Sequence, residues 1–435
     1  MFVYYFLKYL VKFAFQVFFR KVYFTGTQNI PRRHSIVFAV NHPTAFLDPI
    51  ALAGILPHIL HFMLRGDIFT TRLVRWFLAE IKTIPIFRFR DGFSSLKNNH
   101  STFEIVYDKL HQKDNILILA EGIAKHEKKM RPIQKGTARM VFGTYEKHGK
   151  EDTIIIPVGV NYTDSDAFRS FMMVDFGRPI AMSDYLDYHA ENPRKAIKKL
   201  TEAISEGMLE RIVHIEDDAD AEFTNVLLDI QRHNFRFPVL PVLDYRDRRL
   251  LEAELALTQR VNALDAEAKS TLQQRTLAYR DALRERGLDD LGLAQPQRHS
   301  WRNGLILLLG ALPFALGYLL NILPLRLARY LADSKVTKIE FHSSVRFGAG
   351  AVGYVIYWLL ALLVGTIAGG WTGLAWVLCM PIFGFFALHY RDFYLAYRSA
   401  GKLSRIGAQE LAQLQKERGQ LLQLVTQSTA AVKVG

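Results

Sequence analysis

The chain has 435 residues, half of them apolar and 12% aromatic, and carries a formal charge of +13. That length holds one large or two ordinary domains with appendages, and the charge favours anionic partners: nucleic acid, anionic lipid or an acidic carrier protein. The single cysteine, Cys379, excludes an intramolecular disulfide framework and any multi-cysteine zinc site.

Residues 1–24 are nearly all aromatic or branched aliphatic, with Lys8, Lys12, Gln16 and Arg20 recurring every fourth position. On a helix these four make one slowly spiralling polar stripe. Charges interrupt the apolar region and no small-residue cleavage site follows, which disfavours a signal peptide. A spanning helix would bury two lysines near its middle. The expectation is an amphipathic helix over residues 1–28 lying in the membrane interface, its lysines reaching toward anionic lipid. The alternative is an ordinary core-packed helix.

From about 33 to 180, short apolar runs alternate with longer amphipathic ones. Strand-like runs fall at 35–40, 59–64, 83–88, 115–120, 153–160 and 171–176, and helix-like runs at 47–55, 68–80, 94–112 and 136–148. This alternation predicts an α/β domain over 29–188, a mostly parallel sheet covered by helices on both faces. Functional groups in such sheets gather at the carboxyl ends of strands.

The first such end is Asn41-His42-Pro43-Thr44-Ala45-Phe46-Leu47-Asp48-Pro49. Pro43 forces a turn. Asp48 can then fold back onto one ring nitrogen of His42 and leave the other to take a proton. That is a base and its orienting carboxylate without a protein nucleophile, so the nucleophile would be a substrate hydroxyl. Loop histidines and aspartates are also ordinary hydrogen-bonding groups. Next, Ile86-Phe87-Arg88-Phe89-Arg90 puts two guanidinium groups on one side of a strand end, a fork suited to phosphate or carboxylate. Then Glu121-Gly122 leaves a buried strand, and Lys125, Lys128, Lys129, Arg131 and Lys135 lead to a helix N-terminus, a ready anion site. His126 reads as a solvated loop residue. His58 and His61 lack the third ligand a metal would need, so no metal is expected.

Residues 189–300 turn polar, and 246–286 reads as one long helix ending near Gly287, part of a helical extension. The stretch 301–407 reads as a membrane domain with apolar spans at 303–325, 351–369 and 371–390. The last two meet at Gly369-Gly370, a hairpin tip over 351–390. Basic residues (Arg326, Arg329, Lys335, Lys338, Arg346, then Arg391, Arg398, Lys402 and Arg405) flank the hairpin, which places its ends on the cytosolic side. Gly304, Gly310, Pro313, Gly317, Asn321 and Pro324 make 303–325 an easily broken helix, expected as a re-entrant or interfacial segment that returns to the cytosolic face. A polar tail fills 408–435.

Taken together, Asn41-His42…Asp48-Pro49, Ile86-Phe87-Arg88-Phe89-Arg90, Glu121-Gly122 and Ile156-Pro157-Val158-Gly159-Val160-Asn161-Tyr162 resemble the four blocks of glycerophospholipid acyltransferases in order and approximate spacing. The resemblance covers about residues 30–180. It implies His42 as general base and Asp48 as its orienter. Arg90, with Arg88 second, and Glu121 with Gly122 would hold the glycerol phosphate. Pro157 and Val158 would lie on the acyl-donor side. Five residues separate His42 from Asp48 where four are usual, which resembles the branch of fungal-type glycerol-3-phosphate/dihydroxyacetone-phosphate acyltransferases. Ile123 and Ala124 replace the usual hydroxyl and basic residues, shifting phosphate contact to Lys125 or Lys135. No cofactor is implied beyond an acyl-CoA or acyl carrier protein thioester. The implied partners are membrane lipids and the glycerol-phosphate acceptor, not nucleic acid, and the implied place is the cytoplasmic face of a membrane, the bacterial inner membrane. A lipid-binding scaffold, or a thioesterase or lipase on the same fold, are the rival readings.

Overall fold

The computed structural model describes residues 2–32, 34–87, 93–150 and 152–427. Two compact units emerge: Met1–Ile212 with Val242–Asp247 and Ala332–Ala351, and Val213–Pro241 with Arg248–Leu331 and Val352–Gly435.

The first unit is built on strands β1 (Lys21–Thr25), β2 (Ser35–Val40), β3 (Leu60–Arg65), β4 (Thr83–Ile86), β5 (Asn115–Leu119), β6 (Thr153–Tyr162), β7 (Phe171–Phe176), β8 (Ile180–Ala181) and β9 (Leu243–Asp244). They form one sheet in the order β4-β3-β5-β2-β6-β7-β1-β9, with β8 beside β6. Pairing is parallel except where β6 meets β7 and β8. The helices of this unit are α1 (Phe2–Phe18), α2 (Leu47–Ile55), α3 (Arg72–Glu80), α4 (Phe93–His111), α5 (Gly136–His148), α6 (Leu186–Glu191) and α7 (Pro193–Leu209).

The unbroken apolar run of β2 follows from burial on both faces. Ile36, Phe38 and Val40 enter a core with α1 and α2, while Val37 and Ala39 enter a second core with α4, α5 and α7. Helix α1 packs closely on α2, where a Cβ at Gly54 would strike Val11. Its outer face leaves Phe2, Tyr5, Phe6, Tyr9 and Phe13 exposed.

Several expectations need correcting. The N-terminal helix stops at Phe18 instead of reaching residue 28; Lys21–Thr25 is a strand, buried along its whole length between β7 and β9. Its β-branched and aromatic residues suit that slot better than a helix. The helix expected from 68 begins at Arg72, where the Thr71 hydroxyl accepts from the Val74 N–H at 3.2 Å. The long helix over 246–286 is two, Arg249–Ala263 and Ala266–Glu285, because Asp265 caps a fresh start through the Ala268 N–H at 2.8 Å.

The second unit holds α8 (Ala221–Arg232), α9 (Arg249–Ala263), α10 (Ala266–Glu285), α11 (Asp290–Ala294), most of α12 (Trp301–Lys335), α13 (Ile339–Gly401) from Val352, and α14 (Ala408–Gln427). Asp290 ties its polar helices together, bonded to Tyr279 Oη (2.6 Å), Arg418 Nε (2.8 Å) and His233 Nδ1 (2.8 Å). Helices α12 and α13 are both long and apolar enough to cross a membrane. Helix α13 reverses at Gly370, whose φ is +54°. The flanking segments approach so closely that a Cβ at Gly373 would fall on the Gly365 carbonyl.

The break expected in 303–325 does not occur, since α12 runs unbroken through Pro313 and Pro324. Pro324 cannot donate to the Leu320 carbonyl, and the Tyr357 hydroxyl does so instead, at 3.0 Å. A re-entrant reversal within that stretch is therefore excluded.

Candidate functional site

At the carboxyl end of β2 the backbone ladder gives way to a side chain that imitates it. Val40 pairs with Val158 of β6, and Asn41 then continues the pairing: its Nδ2 donates to the Val160 carbonyl at 2.9 Å and its Oδ1 accepts from the Val160 N–H at 2.7 Å. The chain is thereby pinned one residue before His42.

His42 and Asp48 face each other, with Nδ1 and Oδ2 3.0 Å apart. Asp48 lies in the first turn of α2, where a carboxylate favours the positive helix end and Pro49 removes no needed donor. The carboxylate is fully buried and each oxygen accepts twice. Oδ2 also takes the Thr44 N–H at 3.0 Å; Oδ1 takes the Thr44 hydroxyl at 2.7 Å and the Tyr162 hydroxyl at 2.9 Å. Burial, reinforced by the Asp48 charge, raises the Tyr162 phenol well above its ordinary value, so it stays a donor. A carboxylate held this way accepts only, so Nδ1 carries the imidazole proton and Nε2 presents its lone pair.

The turn after β5 is bonded to the same loop. The Lys125 N–H donates to the His42 carbonyl at 3.1 Å, and the Gln134 N–H to the Ala120 carbonyl at 2.8 Å. Gly122 takes φ +74°, a left-handed conformation open to glycine at least strain, which turns the chain directly after Glu121. Glu121 is buried, its Oε1 accepting from the Arg131 N–H at 3.3 Å. Burial pushes its carboxyl up to about 7; the backbone N–H groups of Arg131 and His42 pull the other way, and Asp48 adds to the rise.

The structure thus brings His42, Asp48, Glu121, Gly122 and the Lys125 backbone together. The Lys125 and Lys135 side chains are exposed, with Lys135 at the N-cap of α5. Pro157 and Val158 lie buried inside β6, Pro157 packed toward Gly177 and Gly207, and Val158 in the core beside Phe38. Two later residues of that strand, Val160 and Tyr162, reach the His42 loop. Arg88 and Arg90 lie outside the described residues. Asn41, Thr44 and Tyr162 stand inside the sequence motifs, but their bonds are not visible there; the four-residue spacing of Thr44 and Asp48 is the one local signal. His126 is bonded to the Ser165 hydroxyl at 2.8 Å. A cavity lined by Pro31, Arg32, His34, His58, Lys113 and Asn115 lies at the amino ends of β2, β3 and β5, the far end of the sheet from His42.

Residues 21–161 match the family model described as Acyltransferase. Among curated proteins, the chain is 26% identical to glycerol-3-phosphate O-acyltransferase 1 of Saccharomyces cerevisiae over 264 residues, 58% of this chain and 34% of the relative. It is 35% identical to 1-acyl-sn-glycerol-3-phosphate acyltransferase of Bacillus subtilis over 78 residues, 18% of this chain and 38% of the relative. The chain thus spans little more than a third of the length of either. Among solved structures, the 1-acyl-sn-glycerophosphate acyltransferase of Thermotoga maritima aligns at 16% identity and a TM-score of 0.34, covering 47% of this chain and 79% of that one.

Proposed function

We propose that this chain, which carries an Acyltransferase-family domain over residues 21–161, transfers a fatty acyl group from a thioester to a hydroxyl of a glycerol phosphate at a membrane surface. The observation that carries this reading is the His42–Asp48 pair, 3.0 Å apart with every acceptor position of the carboxylate engaged. His42 Nε2 takes the proton of the acceptor hydroxyl as its oxygen attacks the thioester carbonyl. Collapse of the tetrahedral intermediate breaks the C–S bond, and the imidazolium returns the proton to the departing thiolate. General-base help of this kind is worth about 10²–10⁴-fold. The attack is direct, so no protein nucleophile is required.

Glu121, raised to about 7, is about half protonated near neutral pH, and in its neutral form it can donate to the acceptor without repelling the phosphate. Arg90, Arg88, Lys125 and Lys135 supply the counter-charge. The donor is acyl-CoA or an acyl carrier protein. The acceptor is glycerol 3-phosphate or its monoacylated product; the five-residue His42–Asp48 spacing and the longer yeast match favour the former. The exposed aromatic face of α1, and two helices long and apolar enough to cross a membrane, support a membrane-surface location, on its cytoplasmic side in this reading.

The test is thioester consumption with and without each acceptor, in wild type and His42→Ala, with lipid analysis of the product. Acceptor-dependent consumption that His42→Ala abolishes supports the transferase. Acceptor-independent release indicates hydrolysis, and no consumption in wild type indicates a scaffold.

A further inference from the structure

The His42–Asp48 linker is held from a second side. Thr44 spends its N–H and hydroxyl on Asp48, but the next two backbone donors are taken by a segment some 300 positions later. The Ala45 N–H donates to the Glu340 carbonyl at 3.0 Å, and the Phe46 N–H to the Ser344 hydroxyl at 2.9 Å. Glu340 and Ser344 stand one turn apart on α13 and so share a face. Ala45 and Ser344 are both buried, and helix α2 begins without a side-chain cap of its own. Phe341 meets Phe46 edge to face at 5.6 Å.

The same short stretch is anchored further along. Arg346 Nη1 donates to the Asp166 carbonyl at 2.7 Å and to its carboxylate at 3.0 Å, in the connection between β6 and β7. Phe347 is buried against Phe15 (4.8 Å) and Phe18 (5.5 Å) of α1. All of these residues belong to the first unit, although α13 continues into the apolar hairpin.

We propose that residues 340–347 form a clamp on the His42–Asp48 linker and that Ser344 is a positioning residue for the base. Within the five-residue linker the N–H groups of Ala45 and Phe46 bond to α13 and not to Asp48, Ala45 buried and Phe46 half-buried. Without the Ser344 hydroxyl the Phe46 N–H loses its acceptor, the start of α2 shifts, and Asp48 no longer fixes His42. Substrate binding is expected to change little, because neither Ser344 nor Phe46 is among the groups assigned to donor or acceptor. The effect on turnover rests on His42 being the base; the clamp itself does not.

The experiment compares Ser344→Thr with Ser344→Val in the full chain reconstituted in vesicles. The two side chains have the same shape and differ in the hydroxyl. The valine variant is expected to show kcat about tenfold below the threonine variant, with KM for donor and acceptor within twofold. Amide hydrogen exchange at Ala45 and Phe46 is expected to be faster in the valine variant alone. Equal kcat with equal exchange overturns the clamp. If wild type shows no turnover, the acyltransferase reading fails, while the exchange comparison still decides the clamp. Should both variants fail to fold, exchange at Phe46 in Ser344→Ala decides it, unchanged protection overturning the proposal.

Discussion

Replacing Asp48 by asparagine separates two ways in which a carboxylate can serve a histidine. The amide has one oxygen for four donors, so its NH2 must face one pair of them. Facing Oδ2's partners, it would oppose the Thr44 N–H, which cannot rotate, and would force His42 into the tautomer with its proton on Nε2. Facing Oδ1's partners, it meets the hydroxyls of Thr44 and Tyr162, which can turn to accept. The second arrangement keeps the two fixed donors, the Thr44 N–H and the His42 Nδ1–H, on the amide oxygen, so the asparagine variant keeps the productive tautomer and loses the charge. A charge-assisted hydrogen bond is about twice as strong as a neutral one, a difference of about 1–2 kcal/mol. At 1.36 kcal/mol per decade this lowers kcat about 5- to 30-fold. A trapped wrong tautomer costs on the order of 10⁴-fold in serine-protease triads. Steady-state thioester consumption by wild type, Asp48→Asn and His42→Ala measures it. A loss in Asp48→Asn as large as that in His42→Ala refutes the hydroxyl-rotation account.

Glu121, raised from 4.5 to about 7, binds more protons folded than unfolded between those values, so folded stability falls as pH rises through that window, by up to about 3 kcal/mol. Thermal unfolding at pH 5 and pH 8 should show this in wild type and a markedly smaller difference in Glu121→Gln; parallel curves would contradict it. Tyr162→Phe removes one of four donors to a buried carboxylate, and chemical denaturation should register a loss of about 1.5–3 kcal/mol. An unchanged midpoint would mean that the hydroxyl is not bonded. Tyr357→Phe should destabilise the protein by about 1 kcal/mol in wild type and by little in a Pro324→Leu background, where the helix supplies its own donor to Leu320. Equal losses in both backgrounds would rule out the compensation.

The central strands were legible because burial on both faces writes a continuous apolar run, and β2 and α5 fall where periodicity puts them. Strand β1 was hidden for the same reason that α1 was visible. Aromatic residues run without a glycine or proline from Phe13 through Phe24, so the change from helix to strand near Phe19 leaves no mark in composition. Lys21 adds to the disguise: it follows Arg20 as a second basic residue, yet it is buried in the sheet with the carboxylates of Asp244 and Asp247 as its charge partners. Helix α7 was read as polar extension because its buried stripe, Ala196, Leu200, Ile204 and Met208, is only one residue wide.

In the site, what the sequence could reveal depended on separation along the chain. His42 and Asp48 are six positions apart, and a turn imposed by Pro43 is enough to bring them together. Tyr162 is 114 positions from Asp48, and Asn41 is 119 from Val160; pairing them requires the β2–β6 register, which no local pattern encodes. Ser344 is further still, 298 positions from Phe46, and a serine in the second turn of a helix carries no signal of its own. Polarity inside an apolar setting was the one trace these groups left. Asn41 and Tyr162 stand at the ends of buried strands, where an amide or phenol is costly unless bonded. A polar side chain at the carboxyl end of an interior strand therefore asks for a partner on the adjacent strand. Here that question, put to Asn41 and Tyr162, points from both sides to the one loop that holds His42.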